Sequence, residues 1–267
     1  MIVLGMDTST PATVVGLRLD DGRTFEARDD PTAEQRPGHA TRLLPLSHGL
    51  LEEASLGWKQ LGRIAVGVGP GTFTGLRIGV ATARGLAQSL AVELVGISSL
   101  RALAHAAYER RPDWPHDAEH GGREGDWSGV VDPPRSSIDG SVADERVGVL
   151  AVIDARRGEA FVAAYDNEIE LIAPHAIAPA DIDELLERVM IGTSIKRWVA
   201  LGDGAVRYRD ALKHPSVLVP DPHSALHRIQ ASAICALGAL APADDAPVLP
   251  DYRRRPDAEI ALEGAAS

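Results

Sequence analysis

The sequence predicts an α/β protein of two lobes that repeat one order of elements, β-β-β-α-β-α-β-α. Three observations carry that reading. Residues 2–6 form an apolar strand pattern that ends in Asp7-Thr8-Ser9-Thr10, and residues 147–153 repeat it and end in Asp154-Ala155-Arg156. Each is followed by two further strand patterns and then by alternating helical and strand periods. Between the halves, residues 110–145 are rich in Pro, Gly, Asp and Ser with almost no apolar periodicity, the mark of a disordered insertion.

In the first lobe, residues 1–109, a second strand at 13–19 meets the hairpin signal Asp20-Asp21-Gly22-Arg23, which leads to a third. A helix at 39–54 follows, with Leu43, Leu46 and Leu50 in one stripe and Pro45 expected to kink it. The strand at 63–68 ends in Gly69-Pro70-Gly71, and a helix begins at once. Within that helix Gly75, Gly79, Ala83 and Ala87 recur every fourth residue and share one face. Gly in a helix interior costs about 1 kcal/mol relative to Ala, so a close approach should offset it, either of the chain's own sheet or of a partner's helix. A strand at 92–97 and a helix from Ser98 close the lobe.

In the second lobe, residues 146–241, Arg157-Gly158 turns the chain into strands at 159–165 and 168–172. A helix at 179–190 opens on Pro179, and a strand at 198–201 ends in Gly202-Asp203-Gly204. A short helix, a strand at 217–219 and a helix at 224–240 complete it. Residues 242–267 read as a flexible tail with a basic run, Arg253-Arg254-Arg255.

Composition bounds the function. The 267 residues carry a formal net charge of −11, which opposes autonomous binding to the nucleic-acid backbone. The lone Cys235 excludes an internal disulfide and sits in an apolar helical stretch as a packing residue. The first residues run straight into a strand without a leader pattern, and no apolar run approaches the ~20 residues of a membrane span, so a cytoplasmic protein with no membrane partner is expected.

The motifs carry a resemblance. The repeated lobes resemble the actin-like ATPase (ASKHA, ribonuclease H-like) superfold. Within it, Gly69-Pro-Gly-Thr-Phe-Thr-Gly-Leu-Arg-Ile-Gly79 resembles the signature of the TsaB (YeaZ) family, supported by Met6-Asp7-Thr8-Ser9, His39-Ala-Thr-Arg-Leu-Leu-Pro45 and Asp154-Ala-Arg-Arg-Gly-Glu159. The resemblance implies a non-catalytic scaffold subunit in threonylcarbamoyladenosine synthesis on tRNA, at the adenosine beside the anticodon. Its partners would be the catalytic, metal-bearing paralogue TsaD in a heterodimer and the ATPase TsaE. It would touch tRNA indirectly through the complex, and alone it would form a homodimer through the same helices. The alternative is an enzyme of the same superfold, an ATPase or a metallopeptidase-like protein.

For the docking surface the resemblance points to the two helices after the first sheet, through His39, Leu43, Leu46, Leu50, Gly75, Ile78, Gly79, Ala81, Arg84 and Gln88. A nucleotide cleft is the second candidate, since strand C-termini of such folds face ligands and carboxylates there can hold Mg²⁺. It draws on Asp7, Thr8, Ser9, Asp154, Arg156 and Gly202, with no cofactor required and weak binding of ATP or ADP with Mg²⁺ at most. The glycine turn lacks the Lys-Ser/Thr of a phosphate loop and reads as a tight turn. Phe73 stands where a nucleophile elbow would place Ser. The paralogue's metal-binding His-x-x-x-His pair aligns with Ser99 and Leu103, neither of them a usual metal ligand. His223 and His227 have the right spacing but no third ligand, and read as an exposed helix start. Arg156, Arg157 and residues 253–255 read as solvated charges rather than contacts to tRNA phosphates.

Overall fold

Strand alternation and two kinds of helix build the first of two units. A computed structural model describes residues 1–32, 34–109, 146–242 and 246–253. The expected insertion at 110–145 and residues 254–267 of the tail lie outside the described residues. The units are Met1–Ala102 with Ile229–Ser267, and Leu103–Arg228.

In the first, β1 (Val3–Asp7), β2 (Thr13–Arg18), β3 (Thr24–Asp29), β4 (Arg63–Gly69) and β5 (Glu93–Ser98) form one sheet in the order β3-β2-β1-β4-β5. β1 pairs antiparallel with β2 and parallel with β4. Because side chains alternate, Leu4, Met6, Val15, Leu17, Ile64 and Val66 form one core with α1 (His39–Glu53) and α2 (Phe73–Leu90). α1 runs on through Pro45, whose missing N–H falls on the exposed side beside Thr41, where water can satisfy the freed carbonyl.

The glycine face of α2 is occupied by the chain itself. Gly75, Gly79, Ala83 and Ala87 are buried. A Cβ at Gly75 would collide with the Thr8 carbonyl oxygen, and one at Gly79 with Thr8 Oγ1. The Thr8 hydroxyl donates to Gly75 O at 2.7 Å. The segment leaving β1 therefore lies directly on the helix, and this contact offsets the cost of its glycines.

The second unit repeats the topology. β6 (Val147–Arg156), β7 (Glu159–Asp166), β8 (Ile169–Ile177), β9 (Arg197–Leu201) and β10 (Val217–Leu218) lie in the order β10-β9-β6-β7-β8. β6 is antiparallel to β7 and parallel to β9, as β1 is to β2 and β4. α4 (Ile182–Gly192) packs Ile182 and Leu186 into a core around Trp198. α3 (Ser99–Glu109) begins in the first unit and continues in the second, and α5 (Asp203–Arg207) follows β9.

The expected helix at 224–240 divides. Residues Ala225–His227 form one 3-10 turn, Arg228 and Gln230 are extended, and α6 (Ala231–Leu240) then packs on the first sheet, opposite α1 and α2. The sequence boundary at 146–241 therefore gives way to the two units above. The reason is that α6 is apolar all round and needs a buried site. Gly5 and Gly16 make room for it, since added Cβ atoms would meet Cys235 Sγ at 2.6 Å and Ala231 Cβ at 2.9 Å. Buried Arg63 then closes its C-terminal end, donating from Nη1 to Gly238 O and Ala241 O at 2.7 Å each while Nε donates to Glu93 Oε2 at 2.9 Å.

His227 is the second consequence of that break. It is buried rather than an exposed helix start. Its Nδ1 accepts from the Gly202 N–H at 3.2 Å and its Nε2 donates to Pro220 O at 3.2 Å. Burial holds its pKa below the ordinary histidine value. The expected flexible tail also differs over 246–253: Val248 packs against the first core and Asp251 N donates to Val68 O at 2.7 Å.

Three outcomes follow for stability. Gly79→Ala should lose about 1–3 kcal/mol in urea unfolding because its Cβ meets Thr8. Gly85→Ala, on the open face of α2 with nothing within 4 Å, should gain about 1 kcal/mol. For His227 the unfolded chain binds the proton more readily than the folded one. Its contribution is therefore complete above about pH 6.5 and is lost as pH falls from there through the lower folded pKa. Unfolding free energies measured from pH 7.5 to 5 should fall less steeply in His227→Gln than in the parent, with His39, Asp7 and Asp203 common to both.

Candidate functional site

The outer face of α1 and α2 is narrower than the sequence suggested. Leu43 and Leu50 are 1% and 3% exposed and belong to the core, because their stripe packs on the sheet. His39 is buried as well. Its Nδ1 lies 2.9 Å from Thr13 Oγ1, and burial lowers its pKa despite nearby Asp29. Gly75 and Gly79 face Thr8, so neither can present a surface. Leu46 and Ile78 are half-buried, and Ala81, Arg84 and Gln88 are exposed. Beside them stand three groups outside the docking set drawn from the sequence, although the helical pattern places Leu44 beside the leucine stripe. Leu44 on α1 is 47% exposed, Arg77 on α2 is exposed, and Tyr252 reaches α2 from the far end of the chain. Leu44 and Arg77 sit at helical spacing from residues already chosen and were open to the same argument. Tyr252 lies 175 positions from Arg77 and had no signal in the pattern.

Asp7, Thr8 and Ser9 are fully buried in the first unit. Asp7 Oδ1 accepts from Ser9 N at 2.8 Å and Ser9 Oγ at 2.7 Å, and Oδ2 accepts from Ser99 Oγ at 2.7 Å. Burial raises its pKa above the usual carboxylate value, against the opposing pull of the Ser9 and Ser99 hydrogen bonds. Oδ2 also lies so close to Gly67 that a Cβ there would collide with it. A carboxylate held by three donors against backbone has no open oxygen for Mg²⁺, and does not fit that role. It ties β1, the segment after it and α3 together.

Asp154, Arg156 and Gly202 come together in the second unit, at the ends of β6 and β9. Asp154 Oδ1 accepts from Tyr208 Oη and Arg156 N, both at 2.9 Å, and its Oδ2 is flanked by Arg156 Nη1 at 3.4 Å and Arg207 Nη1 at 3.6 Å. Asp154 N donates to Asp203 Oδ1 at 3.1 Å, and burial raises the pKa of Asp203. Gly202 takes φ +112°, a conformation suited to glycine, and presents its N–H to His227. The Asp154 carboxylate is likewise committed to its own unit and does not fit a Mg²⁺ ligand. At the two positions where the resemblance looked for a metal pair, Ser99 donates to Asp7 and Leu103 is 1% exposed. Among the described residues no three His, Cys, Asp or Glu side chains are grouped to hold a metal. Cys235 is buried with its thiol pushed up to about 12 by burial, an unreactive packing residue. No helix among the described residues is long and apolar enough to cross a membrane.

Comparison with known proteins places these features. The family model TsaD, tRNA N6-adenosine threonylcarbamoyltransferase, matches residues 31–117, which contain both outer helices. The Escherichia coli tRNA threonylcarbamoyladenosine biosynthesis protein TsaB is 28% identical over 212 residues, 76% of this chain and 75% of its own length. A Mycobacterium leprae protein is 30% identical over 182 residues, 68% of this chain but 40% of its own length. A solved Pseudomonas aeruginosa protein with similarity to peptidase YeaZ is 25% identical, with a TM-score of 0.64 over 95% of this chain and 99% of that one. Two sheets of one topology, each a meander followed by parallel strands, give the actin-like fold expected of the signature. With that fold and the glycine signature at the start of α2, the chain belongs to the TsaB (YeaZ) family.

Proposed function

We propose that this chain serves tRNA threonylcarbamoyladenosine biosynthesis as a non-catalytic scaffold that docks a TsaD-type catalytic paralogue through the exposed face of α1 and α2. The observation that carries the reading is the condition of the positions where a catalytic relative would hold metal or nucleotide. Ser99 and Asp7 are bonded to each other inside the first unit, and Leu103 is packed away. The same stretch, 31–117, matches the TsaD family model. A paralogue that keeps this framework and fills its reactive positions with internal bonds has its outer helices left for association. The half-buried Leu46 and Ile78 with exposed Leu44, Ala81, Arg84 and Gln88 supply a patch of mixed apolar and polar character, ordinary for a non-obligate interface. The TsaE ATPase joins this assembly, and tRNA is reached through the catalytic subunit.

Reconstitution tests the reading. Purified TsaD-type and TsaE-type partners, tRNA and the small substrates should yield modified adenosine only when this chain is added, and this chain without the catalytic partner should yield none. Modification by this chain alone would overturn it. Asp7→Asn should lower stability by about 1–3 kcal/mol through the disturbed buried bonds. At 25 °C the reconstituted rate should stay within about twofold, whereas loss of an essential acid–base group costs on the order of 100-fold or more.

A further inference from the structure

Helix α2 contains no Asp or Glu in its 18 residues, although the chain as a whole has a net charge of −11. Its exposed positions include Arg77 and Arg84, about 10 Å apart along the axis, with Ala81 between them. Arg77 is fixed in place, and not by an ion pair. Its guanidinium carbon sits 3.8 Å from the centroid of the Phe73 ring and 5.9 Å from that of Tyr252, and its Nε donates to Tyr252 Oη at 3.0 Å. The two rings are themselves 5.0 Å apart. Among the described residues neither Nη atom of Arg77 has a hydrogen-bond or ion-pair partner.

Tyr252 reaches this place because the C-terminal segment is strapped down. Val248 packs in the first core and Asp251 N bonds to Val68 O, which brings the next residue over the first turn of α2. Arg253 pairs with Asp251 at 2.7 Å, leaving Tyr252 to meet Arg77. A guanidinium laid on one ring and held by another has lost its rotamer freedom before any partner arrives, while its outer fork stays open to a carboxylate.

We propose that Arg77, clamped by Phe73 and Tyr252, is the cationic anchor of the docking face and receives a carboxylate from the surface of the protein partner. Tyr252 is its positioning residue. The inference rests on the docking reading above and adds to it the chemistry of the partner's surface. Two arginines separated by an alanine and edged by half-buried Ile78 make a small, partly apolar contact with Arg and Tyr at its heart, the residue types that dominate protein–protein hot spots. The overall net charge of −11 disfavours an RNA backbone as the partner.

Calorimetric titration of the full chain with its TsaD-type partner at two salt concentrations tests this. Arg77→Ala should weaken the dissociation constant tenfold or more and flatten its salt dependence. Arg77→Lys should fail to restore it, because an ammonium lacks the planar fork. Tyr252→Phe, which removes only the hydroxyl that holds Nε, should weaken binding severalfold with an unchanged melting temperature. Arg77→Ala and Tyr252→Phe binding like the parent while Ala81→Glu abolishes binding would overturn the anchor and leave docking on α2 standing. Binding that survives Ala81→Glu would overturn the docking reading itself. Loss of tRNA retention by the complex without loss of protein affinity in Arg77→Ala would make Arg77 an RNA contact, and also overturn the proposal.

Discussion

The segment leaving β1 lies bare against the glycine face of α2, and the first unit depends on that contact. Thr8 bonds its hydroxyl to Gly75 O, and its backbone fills the space that side chains at 75 and 79 would need. One residue earlier Asp7 gathers Ser9 and Ser99. One residue later Ser9 O accepts from Thr72 N at 2.7 Å and so holds the start of α2. Three consecutive residues thus lock a strand, a turn and two helices by buried polar bonds. The polar residues at this strand end are spent on the unit's own framework.

That arrangement frees the opposite side of α2. A helix packed by glycine and alanine sits low on its sheet, so its outer residues need carry no part of the core. Ala81, Arg84 and Gln88 are exposed for this reason, and Arg77 is free to be positioned by aromatic rings instead of an acid. The surface and the interior of α2 are two results of one spacing.

Much of this was legible in the sequence where periodicity met punctuation. The hairpin at Asp20 to Arg23, the turn at Gly69-Pro70-Gly71 and the duplicated element order all follow from local chemistry. The docking residues were half legible. Helical spacing groups Leu43, Leu46 and Leu50, but it cannot say which side of the stripe meets the sheet, and the core claimed Leu43 and Leu50. The glycine face posed a choice between own chain and partner that only the position of Thr8 decides. Least legible were contacts between distant segments. Nothing near residue 234 announces that the last helix needs Gly5 and Gly16, and nothing near Tyr252 announces Arg77. The split at Arg228 to Gln230 was missed because His227 looks like an ordinary helix residue until Gly202 and Pro220 claim its ring.

The placement of α6 has a consequence for synthesis. The first sheet is encoded by residues 3–98, yet the helix that covers its second face comes from 231–240. During translation that face must wait, with Val3 and Val14 bare, until most of the chain has left the ribosome. Contacts across such a separation are slow to form because the intervening loop must close first. A chain that stops short of Ala231 would leave the opening strand of that sheet without a roof.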